Sequence, residues 1–305
     1  MVGRVFISCG QRPPREKNIA EKIGKLLKEK FDLEYYLAFK IQGLNDIMKI
    51  TDELRSSDYY LFVDFRRENG NTLPCSLFTH QELALAHHLG FKEIIAFQEK
   101  GAPLEGFLKY VQANPEIFED EEDLLKKIES SVRGRKWTKD YSRNLVLAEI
   151  KVTPKPMLYG DHTGRHMEFI WHAKIENRRP DAAAVNSVCI LETIEYPDGT
   201  KIECSDRSYL KWAGQKEGYQ GTILPRDFGA VDIFSIHADE EGVYLHSALD
   251  LIPRQPILKI EGLCKLNYKV FSESFPLLFF SVEINYRRSL PADLQWGNLT
   301  GARII

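Results

Sequence analysis

The chain has 305 residues, of which 43% are hydrophobic and 28% charged. That is enough apolar material for the cores of about two average domains. A formal net charge of −3 excludes nucleic-acid binding through bulk basicity, although a local basic site can still hold an anionic ligand.

No apolar run reaches the roughly 18 residues that a membrane-spanning helix needs, and the N-terminal MVGRVFISCG reads as a first strand rather than a signal peptide. The five cysteines are Cys9, Cys75, Cys189, Cys204 and Cys264. Their odd number and the lack of a CxxC pair argue against disulfides and zinc, so a reducing, cytoplasmic setting is expected.

Through residues 1–132, strand and helix signals alternate. RVFISC is a short β-rich run, and KNIAEKIGKLLKEKF follows with apolar residues at helical spacing. LEYYLAF reads as a second strand, KIQGLND as a loop, IMKITDELRSSD as a helix and YYLFVDF as a strand apolar on both faces. SLFTHQELALAHHLG predicts a helix with a glycine stop, and EIIAFQ the next strand. EDEEDLLKKIESSV predicts a closing helix whose acids precede its lysines, as the helix dipole favours. This order implies a flavodoxin-like parallel sheet with helices on both faces, which binds ligands beyond the carboxyl ends of its strands. Those ends carry Ser8 to Arg12, Phe39 to Gly43, and Asp64 to Thr79.

RGRKWTKDYSRN, residues 133–144, is polar and basic and reads as a linker. From 145 to 305 the pattern is all β: LVLAEIKV, HMEFIWHAKIEN, AVNSVCILETIEY, DFGAVDIFSIHA, ILKIEGLCKLNY and LLFFSVEINY, with a YPDGTK turn. An all-β, immunoglobulin-like sandwich is expected, without the Cys…Trp…Cys framework of antibody domains. LKWAGQKEGYQG, residues 210–221, reads as an exposed hairpin loop, open to a partner protein or simply to solvent.

Glu82 is the residue that points to chemistry. It lies near the start of its helix and shares a face with Phe78, Leu85, Ala86 and Leu89, whereas Gln81, His87 and His88 point elsewhere. An acid at the rim of a packed face, on the ligand-binding edge of a sheet, is a site candidate. A carboxylate there can stabilise or attack positive charge at an anomeric carbon.

Residues 1–130 resemble the Toll/interleukin-1 receptor (TIR) domains of prokaryotic proteins. VFISCG resembles the family's first strand, and KIQGLNDIMKITDELRSSDYYLFVDF its central loop, second helix and third strand. SLFTHQE resembles the Ser-x-Trp-Cys-x-x-Glu pattern, with Ser76, Phe78, Thr79 and Glu82 on those positions, Phe in place of Trp and Thr in place of Cys. The resemblance implies an NAD glycohydrolase that uses Glu82 and acts as an activated effector in anti-phage defence. It also implies self-association through the first domain, with the sandwich as a sensor or assembly module for an activating ligand or protein. The same stretch resembles nucleoside 2-deoxyribosyltransferases, which implies a glycosylase of nucleosides. A non-enzymatic TIR adaptor is the third reading.

Either enzymatic resemblance implies cleavage of an N-glycosidic bond at ribose. NAD is favoured because nicotinamide departs neutral and needs no protonation, and no second acid has a defined spacing, although Asp64 could serve. Ser8 and Arg12 are expected to meet phosphate or ribose. Phe39, Lys40 and Gly43 belong to a loop that, by the resemblance, gates the site. Phe78 is either a stacking platform or a core residue. NAD is then a substrate, and no cofactor is expected. GxGxxG and GxxxxGK[ST] are absent, which removes dehydrogenase and P-loop readings. Asp161, His162 and His166 sit in a turn-like segment where their spacing means little for a metal, and Cys9 defaults to a buried residue.

Overall fold

The structure, a computed structural model, describes residues 3–10, 14–37, 44–66, 77–104, 106–110, 114–158, 165–204, 209–213, 218–237, 242–245, 256–258, 260–273, 275–286 and 303–304. Two compact units divide the chain. The first comprises Met1–Asn144 with Arg179–Asp181, and the second Leu145–Arg178 with Ala182–Ile305.

The first unit runs β1 (Arg4–Cys9), α1 (Arg15–Phe31), β2 (Glu34–Leu37), α2 (Leu44–Ser56), β3 (Tyr59–Asp64), α3 (Leu77–His88), β4 (Ile94–Glu99), α4 (Gly106–Tyr110), β5 (Glu116–Phe118) and α5 (Glu121–Gly134). All five strands are parallel, in the order β2-β1-β3-β4-β5, the doubly wound order whose switch point falls between β1 and β3. Alternate strand residues supply two cores. Val5, Ile7 and Cys9 pack with α1 and α5 on one face, while Phe6, Tyr60 and Phe62 pack with α2, α3 and α4 on the other. Burial on both faces is why β1 and β3 read as unbroken apolar runs. Each fully buried aromatic or aliphatic side chain contributes about 1.5–3 kcal/mol of transfer free energy. The Asp120 side chain caps α5 by accepting the Asp123 N–H at 2.9 Å, which satisfies a donor the helix leaves orphaned.

Several boundaries differ from those read in the sequence. α2 begins at Leu44, inside the expected loop. The short elements α4 and β5 were not foreseen. Residues 133–144 are part of the first unit: Arg133 and Gly134 end α5, and Trp137 is buried, stacked on Tyr59 at 4.5 Å with its indole N–H donating to Glu93. Asp58 ties down the rest, accepting from Ser142 Oγ at 2.9 Å and from the Arg143 N–H at 3.0 Å.

The second unit consists of β6 (Leu145–Leu158), β7 (Arg165–Asn177), β8 (Ala184–Glu195), β9 (Lys201–Glu203), β10 (Gln220–Ile223), β11 (Phe228–His237), β12 (Gly262–Phe271), β13 (Leu278–Tyr286) and β14 (Arg303–Ile304). One sheet has the order β10-β8-β12-β13-β14, with β9 paired to β8, and the other has the order β11-β7-β6. All pairings between these strands are antiparallel. Inward residues of both sheets, among them Trp171, Ile175, Leu191, Phe234, Leu266 and Val282, form one apolar core.

Two details correct the sequence reading. The segment at 210–221 is not simply an exposed loop: Leu210 and Trp212 are core residues, and Gly221 and Gly229 approach the Trp212 ring so closely that a Cβ at either would lie 2.7 Å from it. The strand expected from residue 257 starts only at Gly262. There φ is +120° and a Cβ would lie 2.7 Å from the Pro197 ring, so the chain bends where only glycine fits. Among the described residues no helix is long and apolar enough to cross a membrane.

Candidate functional site

Ser8 lies near the carboxyl end of β1 and Asp64 ends β3, the two strands that flank the switch point. α3 follows, and its residues Leu83, Ala86 and Leu89 bury one face against Phe6, Tyr60 and Phe62. Glu82 belongs to that face and is 8% exposed. It is the sixth residue of the helix, beyond the first turn, so the helix dipole alone does not account for an acid there. Gln81, His87 and His88 point to solvent as the helical spacing predicts.

The Ser8 hydroxyl donates to Glu82 Oε2 at 2.5 Å. Burial pushes the Glu82 carboxyl up from an ordinary 4.5 to about 7, against the smaller opposing effect of the Ser8 hydrogen bond. Fully buried Tyr60 stands beside the pair. Burial and the field of Glu82 hold its phenol protonated. Its Oη feels Ser8 nearby yet makes no hydrogen bond of good geometry. The neighbouring Cys9 thiol is pushed up to about 12 by burial, Glu16 and Glu82, so it is neutral and a poor nucleophile. Among the described residues no cation pairs with Glu82.

A second cluster occupies the ends of β3 and β4. Asp64 and His80 are both buried, with His80 Nε2 3.9 Å from Asp64 Oδ2. Gln98, the register partner of Asp64 on β4, donates to Asp64 at 3.3 Å and to the Pro103 carbonyl at 3.0 Å. The His80 ring packs edge-on against Phe62 and lies under the start of α4, where a Cβ on Gly106 would come within 3.0 Å of Nδ1. The first two turns of α3 thus carry an imidazole toward β3 and a carboxylate toward β1.

The structure brings Ser8 and Glu82 together. It buries Thr79 and leaves Phe78, one helical turn before Glu82, 57% exposed; of the two sequence readings of Phe78, the core one does not hold. Ser8 is fully buried and directed at Glu82, a position suited to orienting the acid rather than to meeting phosphate in solvent. Arg12, Phe39, Lys40, Gly43 and Ser76 lie outside the described residues, as do Asp161 and His162. Tyr60, His80 and Gln98 were missed. Tyr60 is hidden in an apolar strand, and His80 meets Asp64 across a sequence separation that does not encode the contact. The one available signal was a histidine two residues before the singled-out acid.

No family model and no curated protein matches the chain. Solved structures similar to it include a 2-desoxiribosyltransferase from Leishmania mexicana, 16% identical over 42% of this chain and 97% of that one, with a TM-score of 0.31. A beta-glucosidase from Listeria innocua in complex with gluconolactone is 11% identical over 95% of this chain and 46% of its own, with a TM-score of 0.29. Translation elongation factor SelB from Methanococcus maripaludis is 10% identical over 95% of this chain and 76% of its own, with a TM-score of 0.32. None of these likenesses is strong enough to assign a family.

Proposed function

We propose that the first unit cleaves an N-glycosidic bond at ribose, with NAD as substrate and Glu82 as the carboxylate facing the reacting carbon. The placement of Glu82 carries this reading. It is a buried acid near the carboxyl ends of β1 and β3, oriented by one hydroxyl and paired with no cation among the described residues. When the bond breaks, its electron pair neutralises the nicotinamide ring and positive charge develops at the anomeric carbon. A pre-oriented carboxylate in a dry site stabilises that charge far more than one in water. Phe78, exposed one turn earlier, offers a ring on which a flat heterocycle can stack. The resemblance of SLFTHQE to the TIR glutamate motif supports the same assignment. In this proposal the protein is an activated effector of prokaryotic defence. The first unit self-associates, and the β-rich unit senses a ligand or assembles the protein.

Deoxyribosyl transfer from nucleosides is the second reading. One observation favours it: a neutral base departs with a proton, and an imidazole and a carboxyl, His80 and Asp64, stand 3.9 Å apart at the same sheet edge.

The test is nicotinamide release from NAD by the full chain and by Glu82→Gln, at low and high protein concentration, with deoxynucleosides alongside. The variant is expected to lose at least roughly 10³-fold in kcat/KM. Wild-type activity should rise with pH through about 7, as Glu82 ionises. Equal release by both proteins would discard the assignment.

A further inference from the structure

We propose that this site selects substrates by the fixed positive charge of the leaving group rather than by the identity of the base. It then has a second activity, hydrolysis of cationic N-ribosides beyond NAD, N7-alkylated purine ribosides among them. The inference rests on the preceding reading of Glu82 and extends its substrate class.

A buried carboxylate needs a partner cation or several donors. Among the described residues Glu82 has one donor, Ser8 Oγ. Its other described neighbours are the neutral Cys9 thiol and the neutral Tyr60 phenol, and Glu16 adds a second negative field at Cys9. No described residue supplies the positive charge that would complete the site, and in this proposal that charge comes with the ligand. A pyridinium or imidazolium riboside supplies it, whereas a neutral nucleoside leaves the acid uncompensated. A neutral base also departs with difficulty unless protonated. Glu82 gives up its own proton to act as the carboxylate, and the other described candidates are buried, Asp64 at the end of β3 and His80 beneath Gly106 and against Phe62.

For N7-methylguanosine the step balances without a further reactant. The bond between the anomeric carbon and N9 breaks, and its electron pair neutralises the imidazolium ring. Water oxygen bonds to the anomeric carbon, and the water proton passes to the Glu82 carboxylate and on to solvent. The products are ribose, neutral N7-methylguanine and one proton.

The experiment uses matched pairs that differ in charge: N7-methylguanosine against guanosine, and nicotinamide riboside against its reduced dihydro form. Base release is measured for the full chain and for Glu82→Gln, with NAD in parallel. The charged member of each pair is expected to be preferred by roughly 10²–10³-fold in kcat/KM beyond its advantage in the uncatalysed reaction, the scale of leaving a buried charge unpaired, and that excess should vanish in the variant. A ratio within each pair no larger than that of the uncatalysed reaction overturns the inference even if NAD cleavage depends on Glu82. Cleavage of cationic ribosides without NAD cleavage supports it and retires NAD as the substrate. Absence of cleavage of every compound by the wild-type protein overturns both.

Discussion

Replacing Glu82 by glutamine should change how stability depends on pH, whatever the protein's substrate. The carboxyl titrates near 4.5 when exposed and near 7 in its buried place, a gap equivalent to about 3 kcal/mol. The folded state binds the proton more tightly than the unfolded state. The stability Glu82 contributes is therefore fully present below about pH 4.5 and is lost as pH rises through about 7. The glutamine side chain of the variant has no proton to lose. Any fixed cost of burying its amide is the same at every pH and cancels from the slope, and other buried acids such as Asp58 titrate alike in both proteins. The assay is denaturant or thermal unfolding of wild type and variant from pH 4 to pH 8. The difference in unfolding free energy should move by about 3 kcal/mol in favour of the variant across that window, or about 10 °C in Tm for a unit of this size. Parallel stability curves for the two proteins would mean that Glu82 ionises freely, and the account of a desolvated acid would fall.

Ser8→Ala removes the hydroxyl that donates to Glu82 and should raise the carboxyl further, shifting the rising limb of the pH–rate profile to higher pH by about one unit; an unmoved limb would show that the hydroxyl does not orient the acid. Tyr60→Phe deletes a buried hydroxyl without a well-formed hydrogen bond and should stabilise the fold by about 1–2 kcal/mol, read from chemical denaturation; a loss of stability would reveal a partner for that hydroxyl.

The β-α alternation of the first unit was legible because its strands are buried on both faces and its long helices bury one, so period and length separate them. α4 and β5, of five and three residues, are too short to carry a period. In the second unit, β9, β10 and β14 escaped for the same reason, and Trp212 was misplaced because a tryptophan among glycines resembles a loop. Gly221 of that segment and Gly229 beyond it leave room for the ring. Glu82 was legible as an acid interrupting an apolar helical face. Its partner Ser8 was on the right strand end, but its role follows from which way the β1 side chains alternate. Nothing local in the sequence encodes Tyr60 reaching the same point from β3, or His80 meeting Asp64.

Tyr60 has a consequence for drift. A phenol fully buried beside an acid, without a well-formed hydrogen bond of its own, is a position where random substitution by phenylalanine is rewarded by a sturdier fold. The change from Glu82 to glutamine removes, at neutral pH, the cost of ionising a buried acid. A lineage released from selection for chemistry would slide toward both substitutions, each step making the unit firmer and quieter. If the first unit has the proposed activity, a descendant carrying phenylalanine and glutamine at these positions would have lost it, and restoring the two residues together would be the way to recover it.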